Sequence, residues 1–434
     1  MSDSASTLDA LMPLVGTRTG VVKSLKRVAR NALEPPCVHL FQAALSHFDF
    51  RAADYTQRLT AGKSATPAGT RLAALGEAIE RYCAFQFDLA RVRRHAEHEL
   101  DADSISPASC VLYSEPQYAV PGFPFRRYDP SQPIGWVQGH RLPGGEAVWL
   151  PAALVYLGYF GEASSDYFCL PTSNGLAAGP NAAFACLNGL CELIERDAFL
   201  IAWINRLPPR RIRCAHAGAL SRSMLDHWKR NGVEVHALLL PADHPIPVVL
   251  ALGIQRHGGP AAAIGIACHP DPDVALEKAL LEMCQARVGG VLNAELPPAS
   301  KRENVRDLAG HSAYFTLPQH LDELAFLIET PLEIAIEDIP NRSQGDIAAD
   351  LGVCVEAMRD IGVEVAYSEV TTPDLDAFPI RAFRVIATQL QPVHFGYGME
   401  RFGGRRVFEV PRKLGFALTD ATEETLNRCP HPLG

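Results

Sequence analysis

Apolar and polar positions recur with different periods along the chain, and these periods predict its elements. From about Pro67 to Phe87, Leu72, Leu75, Ile79, Tyr82 and Cys83 fall at helical spacing. Asn181 to Trp203 repeats that pattern in a more apolar run, entered through Ser173-Asn174-Gly175-Leu176-Ala177-Ala178-Gly179. Helix and strand then alternate. Leu220–Asn231 reads as a helix stopped by Gly232, and Val233–Leu240, Pro247–Ile254 and Ala261–Ala267 read as strands. Val274–Val288 and Ile347–Ile361 are helical, while Val148–Leu157, Val363–Val370 and Ile380–Leu390 are strand-like. Arg91 to Gly145 reads as strands and loops, and Thr17 to Leu59 shows no clear break. Lys301 to Asp322 is polar and irregular and predicts a linker or lid. The fold class is therefore mixed α+β, without the regular beat of a barrel. The expected organisation is a tail over residues 1–12, one domain over 13–415 and a C-terminal tail over 416–434.

Composition narrows the function. With 47% apolar and 21% charged residues, the 434-residue chain can bury a large core. Its 40 basic and 49 acidic residues leave a net charge of -9, which argues against broad binding to nucleic acid or an anionic membrane. The most apolar stretch, Val233 to Ile254, is broken by His236, Asp243, His244 and prolines, so it cannot span a bilayer. The eleven cysteines form no C-x-x-C pair, and no signal peptide is visible, which points to a reduced, cytoplasmic protein without zinc.

One internal echo carries chemistry. Leu75-Gly76-Glu77-Ala78-Ile79-Glu80-Arg81 matches Leu190-Cys191-Glu192-Leu193-Ile194-Glu195-Arg196. Residues three apart share a helix face, so each copy presents two carboxylates together. Among apolar neighbours such a pair is costly unless a cation neutralises it. Oxygen ligands of this kind suit magnesium, which bridges carboxylates and phosphates. The other reading is a solvated face with local ion pairs. A third helical stripe holds Lys278, Glu282 and Gln285. The glycines at 175 and 179 either let backbone N–H groups approach a phosphate or form an ordinary turn. Gly62-Lys63-Ser64 is no P-loop, because Gln57 stands where the first glycine belongs. Cys83, Cys186, Cys191 and Cys284 sit on apolar helix faces as core residues, and His394 reads as packed.

These blocks, in this order, resemble the YcaO family of ATP-dependent enzymes that modify peptide backbones. The resemblance runs from about Thr17 to the C-terminus, with Gly62-Lys63 like the first block and Glu282-x-x-Gln285 like the third. It implies a YcaO-type ATP-binding fold of mixed sheets and long helices carrying Glu-x-x-Glu-Arg, with residues 13–415 as the catalytic domain. It implies magnesium held by Glu77, Glu80, Glu192, Glu195 and Glu282. Lys63, Arg81, Ser173, Asn174, Arg196, Lys278 and Gln285 would line the ATP. In the azoline-forming branch, a Cys, Ser or Thr side chain of a ribosomal peptide attacks the preceding carbonyl. The oxyanion takes the γ-phosphoryl group, and loss of phosphate leaves a thiazoline or oxazoline ring with ADP. Phosphorylation turns a poor leaving group into a good one, so positioning and charge neutralisation do most of the catalysis.

Four positions depart from the family pattern: Ala73 where Ser is frequent, Pro180 where Asn is frequent, Phe184 where Glu is frequent and Lys278 where Arg is common. Pro430-His431-Pro432-Leu433-Gly434 resembles a short form of the proline-rich tail of azoline-forming members. Pro430, Pro432 and Gly434 are thus expected at the active site, without a role in folding. The expected partners are a precursor peptide, a separate leader-binding protein, a flavin dehydrogenase and a second copy in a homodimer. Backbone thioamidation and a non-catalytic ATP-binding scaffold are the rival readings.

Overall fold

A computed structural model describes residues 2–46, 59–159, 164–256, 259–292 and 300–433. The chain divides into two compact units. The first comprises Met1–Ala29, His39–Leu193 and Gly345–Leu390; the second comprises Arg30–Val38, Ile194–Gln344 and Gln391–Gly434. The fold is mixed α+β, as the periodicity predicts.

In the first unit, strands Val22–Arg27, His39–Leu45 and Leu59–Ser64 form an antiparallel three-stranded sheet. The Pro67–Phe85 helix packs on it. Thr66 caps the helix by accepting from the Gly69 N–H at 3.1 Å, and Pro67 follows the cap, where a missing N–H costs nothing. Its buried face holds Thr70, Ala74, Leu75, Ala78, Ile79 and Cys83. Gly62 allows the strand to lie this close, because a Cβ there would meet the Thr70 carbonyl and the Ala74 N–H. A second sheet runs in the order Arg93–His95, Ile134–Leu142, Val365–Glu369, Arg381–Ala387 and Leu176–Gly179, with Ala147–Pro151 also paired to Ile134–Leu142.

In the second unit, Ala262–Cys268, Val248–Ile254, Glu234–Leu239, Arg210–Arg213 and Glu333–Ala335 form a five-stranded sheet. The Pro272–Leu292 helix covers it. Gly265 serves this contact as Gly62 serves the other: a Cβ would strike the Ala279 carbonyl and the Met283 N–H. Segment Arg30–Val38 is pinned here by buried Glu34, which accepts from Arg287 Nε and Trp228 Nε1, both at 2.9 Å.

Several expectations change. Residues 1–12 contain a helix, Ser2–Leu11, whose Leu8 and Leu11 are buried. Residues 301–322 are not an open linker: Leu308–Tyr314 and Pro318–Leu324 are helical, and His311, Tyr314 and Leu321 are buried. Val148–Leu157 splits into strand Ala147–Pro151 and a short helix, Ala152–Val155. The cysteines on helix faces, Cys83, Cys186, Cys191 and Cys284, are buried, as expected of core residues.

Two glycine substitutions test the packing of the Pro67–Phe85 helix. Gly62→Ala overpacks a strand–helix contact and is expected to cost ~1–3 kcal/mol in chemical denaturation. Gly76→Ala, at a helical position with nothing within 4 Å of the new Cβ, is expected to stabilise by ~0.5–1 kcal/mol in the same assay.

Candidate functional site

The glutamate pairs fall into two groups, one in each unit. In the first unit, Glu77 and Glu80 lie on the Pro67–Phe85 helix and Glu192 on the Ala182–Ile204 helix. Glu77 is oriented by the neighbouring sheet, for its Oε2 accepts from the Ala61 N–H at 3.1 Å. Glu192 Oε2 accepts from the Gly175 N–H at 3.4 Å. Arg81 reaches Glu77 at 3.5 Å and Glu80 at 3.6 Å. The Glu80 carboxyl is held well above its ordinary range, chiefly by burial; Arg81 opposes the shift, and the charges of Glu77 and Glu192 add to it.

A residue absent from the sequence reading organises this group. Arg384, on strand Arg381–Ala387, is buried at 2% exposure. Its guanidinium donates to the carbonyls of Asn174 at 2.6 Å, Thr172 at 2.8 Å and Val155 at 3.0 Å. Burial pulls its pKa down to about 10, while Glu80 and Glu192 hold it up. It is therefore a buried cation that faces two glutamates and fixes the loop containing Thr172 and Asn174. Val385 N–H adds a 2.8 Å bond to the Gly175 carbonyl. Gly175 adopts φ +87°, and a Cβ there would meet the Val385 carbonyl, so the turn requires glycine. A lone arginine in an apolar strand has no spacing to reveal it. Only the pairing of that strand with Leu176–Gly179 brings it to the loop.

The glycine-rich segment runs into a strand before the helix begins. Leu176–Gly179 is a strand, paired with Arg381–Arg384. The next helix is capped by Asn181, whose Oδ1 accepts from the Phe184 N–H at 2.9 Å. Gly179 leaves room for the Phe184 ring. Small residues were needed there for packing, which the sequence cannot tell from phosphate binding.

In the second unit, Glu195 Oε2 accepts from the Cys268 N–H at 3.2 Å, at the end of edge strand Ala262–Cys268. Arg196 lies 3.1 Å from Glu195 and 4.0 Å from Glu282. Lys278 and Gln285 share the Pro272–Leu292 helix with Glu282. Lys63 is half-buried on strand Leu59–Ser64, and Ser173 is half-buried in the turn before Leu176.

The residues fit a magnesium nucleotide. Asn174 is buried at 7% exposure, and neither its amide oxygen nor its nitrogen has a hydrogen-bond partner among the described residues. The same holds for Gln285 Oε1 in the second unit. Among the described residues, no three His, Cys, Asp or Glu side chains close on a point that could enclose a metal ion.

The C-terminal segment is docked into the second unit. Pro430, His431, Pro432 and Leu433 are buried, and Gly434 lies outside the described residues. Trp203 Nε1 donates to the Cys429 carbonyl at 2.9 Å. His311 accepts the Gly396 N–H on Nε2 at 3.0 Å, so its Nδ1–H donates to the His431 carbonyl at 3.0 Å. His431 Nε2–H in turn donates to the His394 carbonyl at 2.8 Å. His431 also lies within the electrostatic reach of Arg196. The expectation that this tail has no part in folding is therefore corrected: its carbonyls and rings complete the core around Trp203 and Phe199.

Mixed sheets and long helices carrying paired Glu-x-x-Glu-Arg motifs define the fold class. Residues 61–391 match the family model described as YcaO cyclodehydratase, ATP- and Mg2+-binding, and the chain belongs to this family. A heterocyclase solved with substrate and cofactor superposes with a TM-score of 0.83 at 27% identity, over 99% of this chain. The chain spans 57% of the length of that heterocyclase. YcaO from Methanopyrus kandleri, solved with AMPPCP and Mg2+, shares the fold with a TM-score of 0.67 at 21% identity, covering 89% of this chain and 91% of that one. An uncharacterized protein of Methanothermobacter thermautotrophicus is 28% identical over 77% of this chain and 86% of its own length. Among the described residues, no helix is long and apolar enough to cross a membrane.

The histidine cluster sets a pH dependence. Burial lowers the pKa of His311 to about 4 and that of His394 and His431 well below 6.5. Between about pH 6.5 and 4 the unfolded chain binds protons that the folded chain does not. Stability should therefore fall as pH drops through this window, by up to ~1.4 kcal/mol per pH unit for each histidine. Thermal melts of wild type and His311→Gln check this, the variant showing the shallower slope. Deleting residues 430–434 should lower the melting temperature in the same measurement.

Proposed function

We propose that the chain is an ATP- and Mg2+-dependent cyclodehydratase that closes Cys, Ser or Thr of a ribosomally made precursor peptide into thiazoline or oxazoline rings. The observation that carries this reading is the buried, unpartnered Asn174 amide on a loop clamped by Arg384. Bound ATP would supply the phosphoryl group that makes an amide oxygen a leaving group. Glu77, Glu80 and Glu192 of the first unit, and Glu195 and Glu282 of the second, are the proposed magnesium ligands. The backbone N–H groups of Ala61, Gly175 and Cys268 hold three of these carboxylates in fixed rotamers before ligand arrives, which lowers the entropy lost on binding. Arg81 and Arg196 neutralise the carboxylates and are proposed to reach phosphate oxygens. Lys63, Ser173, Asn174, Lys278 and Gln285 complete the proposed nucleotide contacts.

Pro430 and Pro432 are proposed to present the end of the chain to the reacting peptide, from the anchorage that Trp203 and His311 provide. Precursor peptide is the proposed substrate. A separate leader-binding protein would raise its effective concentration, a flavin dehydrogenase would act on the azoline, and the enzyme would work as a cytoplasmic homodimer.

Product mass tests the chemistry. With precursor, partner and Mg·ATP, the peptide should lose one water per ring, with release of ADP. Exchange of oxygen for sulfur would make the enzyme a thioamidase, and no peptide-stimulated ADP release would make it a scaffold. Glu192→Gln should weaken Mg·ATP binding by about tenfold or more, the ~1.4 kcal/mol or more expected of a lost charged ligand. Unchanged ATP turnover in that variant would remove Glu192 from the ligand set.

A further inference from the structure

The first three-stranded sheet ends in an open, basic edge. Among the described residues, strand Val22–Arg27 is the outer strand and pairs only with His39–Leu45, apart from a single bridge between Val15 and Val22 at one end. The Val28 N–H donates to the Leu40 carbonyl at 2.9 Å. Alternation of the antiparallel ladder then turns the backbone N–H and C=O groups of Leu25 and Arg27 outward. Lys23, Lys26 and Arg27 are exposed on this strand, and Arg18 is exposed in the turn that precedes it. No Asp or Glu occurs between Asp9 and Glu34, in a chain whose net charge is -9.

Exposed lysines on an edge strand ordinarily discourage pairing with other strands. Four other strand arginines of this unit each meet a carboxylate. Arg93 pairs with Asp101 at 3.4 Å, Arg94 with Asp166 at 2.6 Å and Arg381 with Glu369 at 3.6 Å. Arg141 pairs with Asp103 at 2.8 Å. Arg18, Lys23, Lys26 and Arg27 meet no carboxylate among the described residues.

We propose that the open edge of Val22–Arg27 binds an acidic, extended segment of the peptide substrate as an added strand. The inference rests on the reading of the protein as a peptide-modifying enzyme. Main-chain bonds to Leu25 and Arg27 supply affinity without demanding a sequence, and the four cations select a segment rich in Asp and Glu. A nucleic acid would use the cations but not the ladder, so the outward backbone groups favour a peptide.

The test uses the full chain and a fluorescein-labelled decapeptide of alternating Glu and Thr, followed by anisotropy without ATP. Saturable binding is expected, with a Lys–Thr decapeptide not bound. The triple variant K23E/K26E/R27E changes only exposed side chains, and circular dichroism checks its fold. It should bind about tenfold or more weakly, as should the Glu–Thr peptide methylated on alternate backbone amides. Equal binding by the methylated peptide, unchanged binding by the triple variant, or displacement of the peptide by oligo-dT at lower concentration than by unlabelled peptide would each overturn the proposal. Failure of the catalytic reading is read separately, by the absence of peptide-stimulated ADP release. Edge binding that persists without such release supports the docking edge and removes only the catalytic assignment.

Discussion

The buried guanidinium of Arg384 is the interaction on which the first unit's charged residues depend. Two glutamates from different helices cannot approach one another in an apolar setting unless a cation shares their field. Arg384 supplies it from a third element, and its remaining donors are spent on the carbonyls of Val155, Thr172 and Asn174. The same group thus balances charge and fixes the loop that carries the unpartnered amide. Replacing it by an apolar residue would leave three carbonyls without their donor and remove a positive charge from the field of Glu80 and Glu192.

The second unit solves a similar problem with different parts. Arg196 bridges Glu195 and Glu282, while its neighbour Asp197 accepts two bonds from Arg406, at 3.0 and 2.6 Å. Arg406 also engages Asp243, and Gln391 donates its backbone N–H to Asp197. Consecutive residues of one helix are in this way committed to opposite tasks, ligand-type charge on one face and clamping of the C-terminal segment on the other.

The long helices were legible in sequence because their apolar stripes are strict: the expected 67–87 and 181–203 appear as Pro67–Phe85 and Ala182–Ile204. The Glu-x-x-Glu-Arg motifs lie on these helices; Glu192 accepts from the Gly175 N–H and Glu195 from the Cys268 N–H. The first sheet was missed, for its strands are short and polar on their exposed side, and nothing local distinguishes them from loop. Glycines misled in both directions. Gly62 and Gly179 serve close packing, whereas Gly175, with its positive φ, shapes the turn beside Asn174. Arg384 and the buried tail were invisible for a single reason: their partners are distant in the chain, and only pairing of strands and docking of the terminus bring them together.

The account turns on whether the loop held by Arg384 meets a nucleotide. Calorimetric titration of Mg·ATP into wild type and Asn174→Ala measures this directly. An unpaired buried amide costs ~1–3 kcal/mol in the free protein. The account therefore predicts that the alanine variant is as stable as wild type or more so, yet binds Mg·ATP about tenfold or more weakly. Unchanged affinity in a folded Asn174→Ala protein would contradict it.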